Sequence, residues 1–385
     1  MQRSATRILT THTGSLPRPA ALLRLLLEDQ DKPGSNKDAL DAAVRSAVAG
    51  VVQKQIECGL DIINDVEQGR TDYTVHVKDR LAGFDGPSAP PRGTGDDEFP
   101  ELAALLKQFA SPFQYRPACS GAIAWKDWPA AEVDMARAKQ ATAGAGALEV
   151  FMTSPSPGQI ARYLKNDYYP DDAAYLDALA VTMAREYRAI VAAGFVLQLD
   201  CPDLAMSRHT VYPDVSLADY RKLIAANVAA LNRAVADIPA DRMRMHVCWG
   251  STIDPHHNDI PLHDIIDIVL AAKPQAVSFP GANARHGHEW KVWRDVTLPA
   301  GKIIIPGVID STSNVVEHPE LVADRIVQYA RVVGPHNVIA GVDCGFGTAV
   351  RTEPMVVDSI VWAKLRALSE GAAIASRRLW GAKAA

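Results

Sequence analysis

The sequence has no long apolar run, no cluster of basic residues and no glycine-rich nucleotide-binding motif. None of its 385 residues falls in a run of 18 apolar ones, and residues 1–19 lack the apolar centre of a signal peptide. We therefore expect a cytoplasmic protein with no membrane partner. A formal net charge of −5 without a Lys/Arg cluster argues against a nucleic-acid partner. The lack of a GxGxxG or P-loop motif disfavours a doubly wound nucleotide-binding fold.

Cysteine is scarce, and its pattern excludes one class of protein. The five cysteines are odd in number and far apart, which is not the pattern of a disulfide framework. We expect all of them to be reduced thiols. They are Cys58, Cys119, Cys201, Cys248 and Cys344.

Short β-rich segments alternate with longer amphipathic segments, which is typical of parallel strands joined by helices. The predicted strands are ILTTHTGSL, GLDIINDV, GALEVFMTS, FVLQLDCP, MRMHVCWG, QAVSFPG, KIIIPGVID and VIAGVDCGFG. The predicted helices are Asp38–Cys58, Asp171–Ala193, Ser216–Ile238, Leu262–Ala272, Glu317–Val333 and Met355–Leu368. An open doubly wound sheet gives the same alternation. Short strands with polar residues at their C-terminal ends favour a TIM (β/α)8 barrel, as a single α/β domain over residues 1–385.

One region does not follow this alternation. Residues 82–100 are rich in Gly, Pro and Asp and show no periodicity. Long loops in compact domains are either functional or loosely ordered. We therefore expect residues 82–118 to form an insertion or a mobile flap after the second strand.

The segment MHVCWG places two potential metal ligands in a predicted strand. His246 and Cys248 are two residues apart, so they point to the same face. Cys344 ends the last predicted strand, and the C-terminal ends of all barrel strands surround one mouth. Imidazole and thiolates suit zinc, and a catalytic zinc has three protein ligands and one open position. The alternative is that both cysteines are small buried residues and His246 is a core histidine.

From THTGSLPRP to DCGFGT, these motifs resemble the C-terminal catalytic domain of cobalamin-independent methionine synthase and its stand-alone relatives, which include the 2-hydroxypropyl-coenzyme M lyases. The resemblance implies a zinc-bearing TIM barrel in which a substrate thiol binds the metal as thiolate and attacks an alkyl group. It assigns the zinc ligands to His246, Cys248 and Cys344.

The resemblance also implies an amino-acid pocket. Ser15 in TGS matches the turn that holds the substrate carboxylate, and Glu67 and Asp200 match two acids that hold its amino group. Both acids lie at predicted strand ends that face the same mouth, where two carboxylates suit an ammonium group. The alternative is that they are solvated or helix-capping acids.

The sequence departs from the synthase at two positions. Pro280 replaces a zinc-binding glutamate, and Thr312 replaces a histidine that is implicated in protonating the departing folate. Proline cannot bind a metal, so His286 or Glu289 of RHGHEW is a candidate substitute ligand. The alternative is that RHGHEW forms a hydrogen-bonded loop cluster. Threonine is not an acid near neutral pH, which points to a donor other than methyltetrahydrofolate.

Three functions remain open at this point. The first is zinc-dependent methyl transfer to homocysteine or a similar thiol, with a small-molecule alkyl donor. The second is an epoxyalkane:coenzyme M transferase, in which Arg70 or Arg285 binds the sulfonate. The third is a non-catalytic zinc-stabilised or thiol-sensing protein. The sequence predicts no oligomeric state.

Overall fold

The computed structural model describes residues 1–88, 98–106, 111, 115–351 and 354–381. Within these residues the chain alternates between short strands and helices. The strands are β1 (Leu9–Thr10), β2 (Ile62–Ile63), β3 (Leu81–Ala82), β4 (Ala124–Trp125), β5 (Glu149–Pro155), β6 (Val196–Asp200), β7 (Met243–His246), β8 (Ala276–Phe279), β9 (Ile303–Pro306) and β10 (Ile339–Ala340). The helices are α1 (Ala20–Asp31), α2 (Lys37–Glu57), α3 (Val77–Arg80), α4 (Pro100–Leu106), α5 (Trp128–Thr142), α6 (Pro157–Tyr163), α7 (Asp172–Ala192), α8 (Ser207–Thr210), α9 (Leu217–Ala234), α10 (Ile266–Leu270), α11 (Pro319–Val333) and α12 (Asp358–Trp380).

The strands form a curled parallel sheet, which confirms the predicted α/β class. Six of them pair in the order β2-β5-β6-β7-β8-β9, and β1 pairs in parallel with β10. Each of the eight predicted strand segments overlaps one of these parallel strands, and β5 extends one residue beyond its predicted segment. Isolated parallel bridges join Thr11 to Ile62, Ile304 to Val338 and Gly307 to Gly341.

Local sequence explains where several helices begin. Asp171 and Ser216 precede α7 and α9, and their side chains accept hydrogen bonds from the backbone N–H groups of Ala174 and Asp219. These contacts satisfy N–H groups that have no partner inside the helix. Pro319 begins α11, where the missing N–H of proline costs nothing. No helix of the described residues is long and apolar enough to cross a membrane.

The region after β2 contains elements that the sequence did not predict. Strands β3 and β4 form a separate antiparallel pair in which Leu81 lies opposite Trp125. Helix α4 lies within the predicted insertion or flap at 82–118. Residues 89–97, 107–110 and 112–114 of that segment lie outside the described residues.

Alternate strand residues contribute to two separate apolar cores. The larger core lies between the strands and the helices. The smaller one gathers side chains from neighbouring parallel strands, namely Leu9, Ile62, Phe151, Val196, Ala276, Ile303, Ile305 and Ile339. Polar residues continue the same strand faces toward the C-terminal ends, such as Gln198 and Asp200 after Val196. The apolar core therefore supports a polar layer at one end of the sheet.

Candidate active site

The candidate site lies at the C-terminal ends of β6, β7 and β8. Asp200 is the register partner of His246, and His246 is the register partner of Ser278. All three side chains are buried. Because the strands are parallel and their ends are level, the three side chains share one edge of the sheet.

His246, Cys248 and Cys344 lie together, although 96 positions separate the two cysteines. Their potential ligand atoms all lie within 4.8 Å of one another, and all three residues are buried. The two Sγ atoms are 3.3 Å apart. Two sulfur ligands at tetrahedral positions on one zinc ion would be about 3.8 Å apart, so only a small shift is needed.

The donor set of this cluster fits a metal ion. Nδ1 of His246 lies 3.2 Å from Ser278 Oγ, whereas Nε2 is buried and has no hydrogen-bond partner. Buried polar atoms normally have a partner, so an orphaned ring nitrogen beside two thiols fits metal binding. The neighbouring sulfur of Cys248 and burial hold the pKa of the Cys344 thiol well above its ordinary value. A cation would stabilise the thiolate at this position.

The structure does not bring the two substitute ligands to this cluster. Glu289 Oε1 accepts a hydrogen bond from Leu262 N at 2.7 Å, and its Oε2 lies 2.8 Å from His286 Nδ1. Nε2 of His286 lies 3.0 Å from Asp259 Oδ2. His286 and Glu289 are therefore paired with other groups, and RHGHEW belongs to a hydrogen-bonded loop cluster. Pro280 is buried.

Asp259 is the centre of that loop cluster. Its carboxylate lies 2.8 Å from His256 Nδ1, 3.0 Å from His286 Nε2 and 3.1 Å from His209 Nδ1. Both ring nitrogens of His286 face carboxylates, which are acceptors, so His286 is a cation. Burial alone lowers the pKa of His286, but the hydrogen bonds to Asp259 and Glu289 outweigh it and raise the pKa to about 9.

This cluster predicts a pH dependence of stability. Because the folded-state pKa of His286 exceeds the unfolded value of 6.5, its contribution is complete below pH 6.5 and is lost as the pH rises through about 9. The shift corresponds to about 3 kcal/mol. We expect the free energy of unfolding of the zinc-loaded protein to fall over this range. The fall should be smaller in His286→Gln, as measured by urea denaturation. An equal fall in both proteins would contradict a charged His286.

Glu67 reaches the site from an unusual backbone turn. Val66 and Glu67 both have positive φ angles, 50° and 60°, which are unfavourable for residues other than glycine. The backbone N–H of Val66 donates a hydrogen bond to Asn64 Oδ1, and that of Glu67 donates one to Asp65 Oδ1. Such bonds offset part of the strain. The turn buries the Glu67 carboxylate, and a Cβ on Gly14 would lie 2.9 Å from its Oε1.

Each of the two acids proposed to bind the amino group accepts one hydrogen bond from a neighbouring side chain. Glu67 Oε1 accepts a hydrogen bond from Thr153 Oγ1 at 2.8 Å, whereas its buried Oε2 has no partner. Asp200 Oδ1 accepts one from Gln198 Nε2 at 2.8 Å. Each acid therefore keeps an oxygen for a further donor. Thr153 and Gln198 were missed from the sequence, although Gln198 lies two residues before Asp200 on the same strand face.

The electrostatics of this pair favour a cationic ligand. Burial raises the pKa of Glu67 to about 7, and the negative charge of Asp200 acts in the same direction. Burial raises the pKa of Asp200 to about 6, although nearby His246 and the hydrogen bond from Gln198 act in the opposite direction. Two buried acids whose charges repel each other are reluctant to ionise together, and a bound cation would reduce this penalty.

Ser15 lies next to the loop that carries Cys344. It is buried, and a Cβ on Gly345 would lie 2.3 Å from its Oγ. The Ser15 carbonyl also accepts a hydrogen bond from Phe346 N at 2.9 Å. Glycine at position 345 therefore permits the close approach of Ser15 to the metal-ligand loop.

Each arginine considered for a sulfonate uses one nitrogen in hydrogen bonds to the protein, and the buried Nε of Arg70 has no partner. Arg70 Nη1 donates to the carbonyl and the hydroxyl oxygens of Thr153 at 3.0 and 2.9 Å. Arg285 Nη2 donates to the Asp259 carbonyl. The hydroxyl of Thr312 is also used inside the protein, because Oγ1 donates a hydrogen bond to Asp310 Oδ1 at 2.8 Å.

Comparison with known proteins confirms the resemblance inferred from the motifs. The chain is 25% identical over 376 residues to a methionine synthase of Saccharolobus solfataricus, covering 96% of this chain and 95% of the relative. It is 27% identical over 376 residues to one of Thermococcus kodakarensis, with 96% and 94% coverage. No family model matches the chain.

Solved structures share the fold. A B12-independent methionine synthase from Shewanella sp. W3-18-1, in complex with selenomethionine, superposes with a TM-score of 0.72 at 19% identity, covering 97% of this chain and 99% of that one. A putative vitamin-B12-independent methionine synthase from Listeria monocytogenes gives 0.64 at 18% identity, with 95% and 98% coverage. These relatives have nearly the same length as this chain.

Proposed function

Because this chain is related over nearly its whole length to methionine synthases and shares the fold of a B12-independent one, we propose that it transfers a methyl group from a small-molecule donor to the sulfur of homocysteine, with zinc as cofactor. The observation that carries the proposal is the convergence of His246, Cys248 and Cys344 within 4.8 Å beside two buried acids. A metal centre and an ammonium site next to each other suit a thiol that is also an amino acid.

In this proposal His246 Nε2 and the two sulfurs hold the zinc ion. Zinc, when bound, supplies the positive charge that keeps a substrate thiol deprotonated. Ser278 Oγ contacts the other ring nitrogen of His246 and so fixes which nitrogen faces the sulfurs. One neutral imidazole and two thiolates leave the centre formally neutral, so an anionic sulfur is not repelled.

The protein's remaining task is to bind and orient the amino acid. Glu67 Oε2 and Asp200 would accept hydrogen bonds from the ammonium group, and Ser15 would hold the carboxylate. Because these contacts fix the far end of the substrate, its sulfur is delivered to the metal cluster in one orientation. The substrate sulfur forms a bond to the methyl carbon as the bond between that carbon and the donor breaks; the demethylated donor leaves with the electron pair of the broken bond, and the thiol proton is released.

We also infer that the sheet closes into an eight-stranded TIM barrel within a single domain over residues 1–385, with 82–118 as an insertion. The bridges from Thr11 to Ile62 and from Ile304 to Val338 support closure, because they connect the β1–β10 pair to both edges of the six-stranded sheet. A barrel would place all the candidate ligands around one mouth.

The other two functions are less well supported. A sulfonate would enter beside the buried carboxyl groups of Glu67 and Asp200, whose negative charge would repel it, which disfavours coenzyme M. A structural zinc site is closed by four protein ligands. The metal group found among the described residues has only three, which favours catalysis.

The proposal is tested with cobalt-substituted protein. We expect homocysteine to add a sulfur-to-cobalt charge-transfer band, because its thiolate takes the fourth position. Single-turnover assays with methyl-labelled donors, including methyltetrahydrofolate and S-methylmethionine, should then yield labelled methionine with at least one donor. A cobalt spectrum that does not respond to homocysteine would refute the proposed thiol site.

A further inference from the structure

A buried carboxylate that the proposed reaction does not use lies next to Cys344. Asp343 Oδ1 accepts hydrogen bonds from the backbone N–H groups of Gly281 and Ala282 at 2.9 and 2.8 Å. Its Oδ2 accepts two more from Asn283, from the backbone N–H at 2.8 Å and from Nδ2 at 2.9 Å. A carboxylate has about four acceptor sites, so Asp343 is saturated inside the protein. It is therefore a connector rather than a metal ligand.

Asp343 joins the ends of three neighbouring strands. Its side chain holds residues 281–283, which follow β8, and its backbone N–H donates to the Ile309 carbonyl after β9 at 2.9 Å. Asp343 itself follows β10. A Cβ on Gly307 would lie 2.1 Å from Asp343 Oδ1, so only glycine permits this approach. The position of Cys344 is thus tied to the loop after β8.

The same loop is linked to the other cysteine. Asn283 Oδ1 accepts a hydrogen bond from His286 N at 2.9 Å. The His286 ring packs against Trp249 with ring centroids 4.5 Å apart, and Trp249 directly follows Cys248. Contacts therefore run from Cys344 through Asp343, Asn283 and His286 to the neighbour of Cys248.

We infer that Asp343 is a positioning residue, which holds the loop at 281–283 and thereby sets the spacing of the two cysteine sulfurs. The inference rests on the proposed metal site. Sulfurs held near the spacing of two ligands bind a metal without first being brought together. Partners that orient ligands typically contribute 10- to 100-fold to metal affinity. These hydrogen bonds also fix the backbone that directly follows Pro280.

The first test is Asp343→Asn. The amide replaces one acceptor oxygen with an NH2 group that faces backbone N–H donors, so two of the four hydrogen bonds are lost. We expect the zinc dissociation constant, measured by competition with a chelator, to rise about 10- to 100-fold. The absorption bands of the cobalt-substituted protein should shift as well, because the ligand geometry changes.

Asp72→Asn is the matched control. Asp72 is also buried, and its Oδ1 accepts hydrogen bonds from the backbone N–H groups of Thr74 and Val75. We expect this variant to keep the wild-type zinc affinity and cobalt spectrum, because Asp72 takes no part in the contacts between the two cysteines. Equal weakening of zinc binding in both variants would overturn the inference, as would wild-type zinc affinity in a folded Asp343→Asn protein.

A milder variant covers the case in which Asp343→Asn does not fold. Asn283→Ala removes only the Nδ2 bond to Asp343 and the Oδ1 bond from His286. We expect a rise of about 3- to 10-fold in the zinc dissociation constant, since the hydrogen bonds from the backbone to Asp343 remain. An unchanged constant would overturn the inference. A wild-type protein that binds no zinc would instead overturn the metal site itself, together with this inference.

Discussion

Replacing Cys344 by serine should reduce the zinc content of the purified protein from about one ion per chain to a small fraction of that. Serine keeps the size of the side chain, but its hydroxyl remains protonated at neutral pH and is a poor zinc ligand. Loss of a partner that only orients a ligand weakens metal binding about 10- to 100-fold, so loss of one of three ligands should weaken it on the order of a thousandfold. Cys248→Ser should have the same effect, because the two sulfurs are equivalent parts of one cluster.

The control for this experiment is Cys58→Ser. Cys58 is also a free, buried cysteine, but its sulfur contacts the carbonyl of Trp362 and is not part of the metal group. Zinc content, measured by atomic emission on protein purified without chelators, should stay at the wild-type value. Unchanged zinc in both Cys248→Ser and Cys344→Ser would show that the bound metal lies elsewhere.

The parallel strands and the metal cluster were predictable from sequence for related reasons. Strands that are buried on both faces appear as short apolar runs, so segments such as KIIIPGVID stand out. The two-residue spacing of His246 and Cys248 follows from strand geometry. Once the parallel arrangement is assumed, Cys344 at the end of another strand must lie near the same edge.

Other features depend on tertiary contacts that leave no periodic signal. The left-handed turn at Val66 and Glu67 has no glycine to mark it. The predicted helix at Leu262–Ala272 is divided into a 3-10 turn at Leu262–Asp264 and the short α10, and its first N–H group, that of Leu262, is bound by Glu289 far along the chain. Likewise, the role of Asp343 depends on residues 281–283, which are far from it in sequence.

The amino-acid pocket was only half predictable. Glu67 and Asp200 were identified from the resemblance and from their places at strand ends. Their partners Thr153 and Gln198 were not, because hydrogen bonding between strand neighbours depends on the register of β5 and β6. That register pairs Thr153 with Gln198, so each acid receives one donor from the layer directly below it.

Replacing Glu67 by glutamine should weaken homocysteine binding by about 30-fold or more, because a charged, buried acceptor is lost. The matched control ligand is 4-mercaptobutanoate, which is homocysteine without the amino group. Its affinity should change little in Glu67→Gln. Both affinities can be measured by titrating cobalt-substituted protein and following the charge-transfer band. Equal weakening of the two thiols would contradict an ammonium contact at Glu67.

The pH dependence provides an independent test of the same contact. Glu67 has a pKa raised to about 7 by burial and by Asp200, so much of it is protonated in the empty site near neutral pH. Only the ionised carboxylate attracts an ammonium group, so the affinity for homocysteine should rise as the pH rises through about 7. Deprotonation of the thiol changes the affinities for homocysteine and 4-mercaptobutanoate with pH in the same way.

The ratio of the two affinities therefore reports on Glu67 alone. In the wild type this ratio should increase several-fold between about pH 6 and 8. In Glu67→Gln the ratio should vary less, because the side chain at position 67 no longer titrates. An identical pH profile in the two proteins would place the ammonium group away from Glu67.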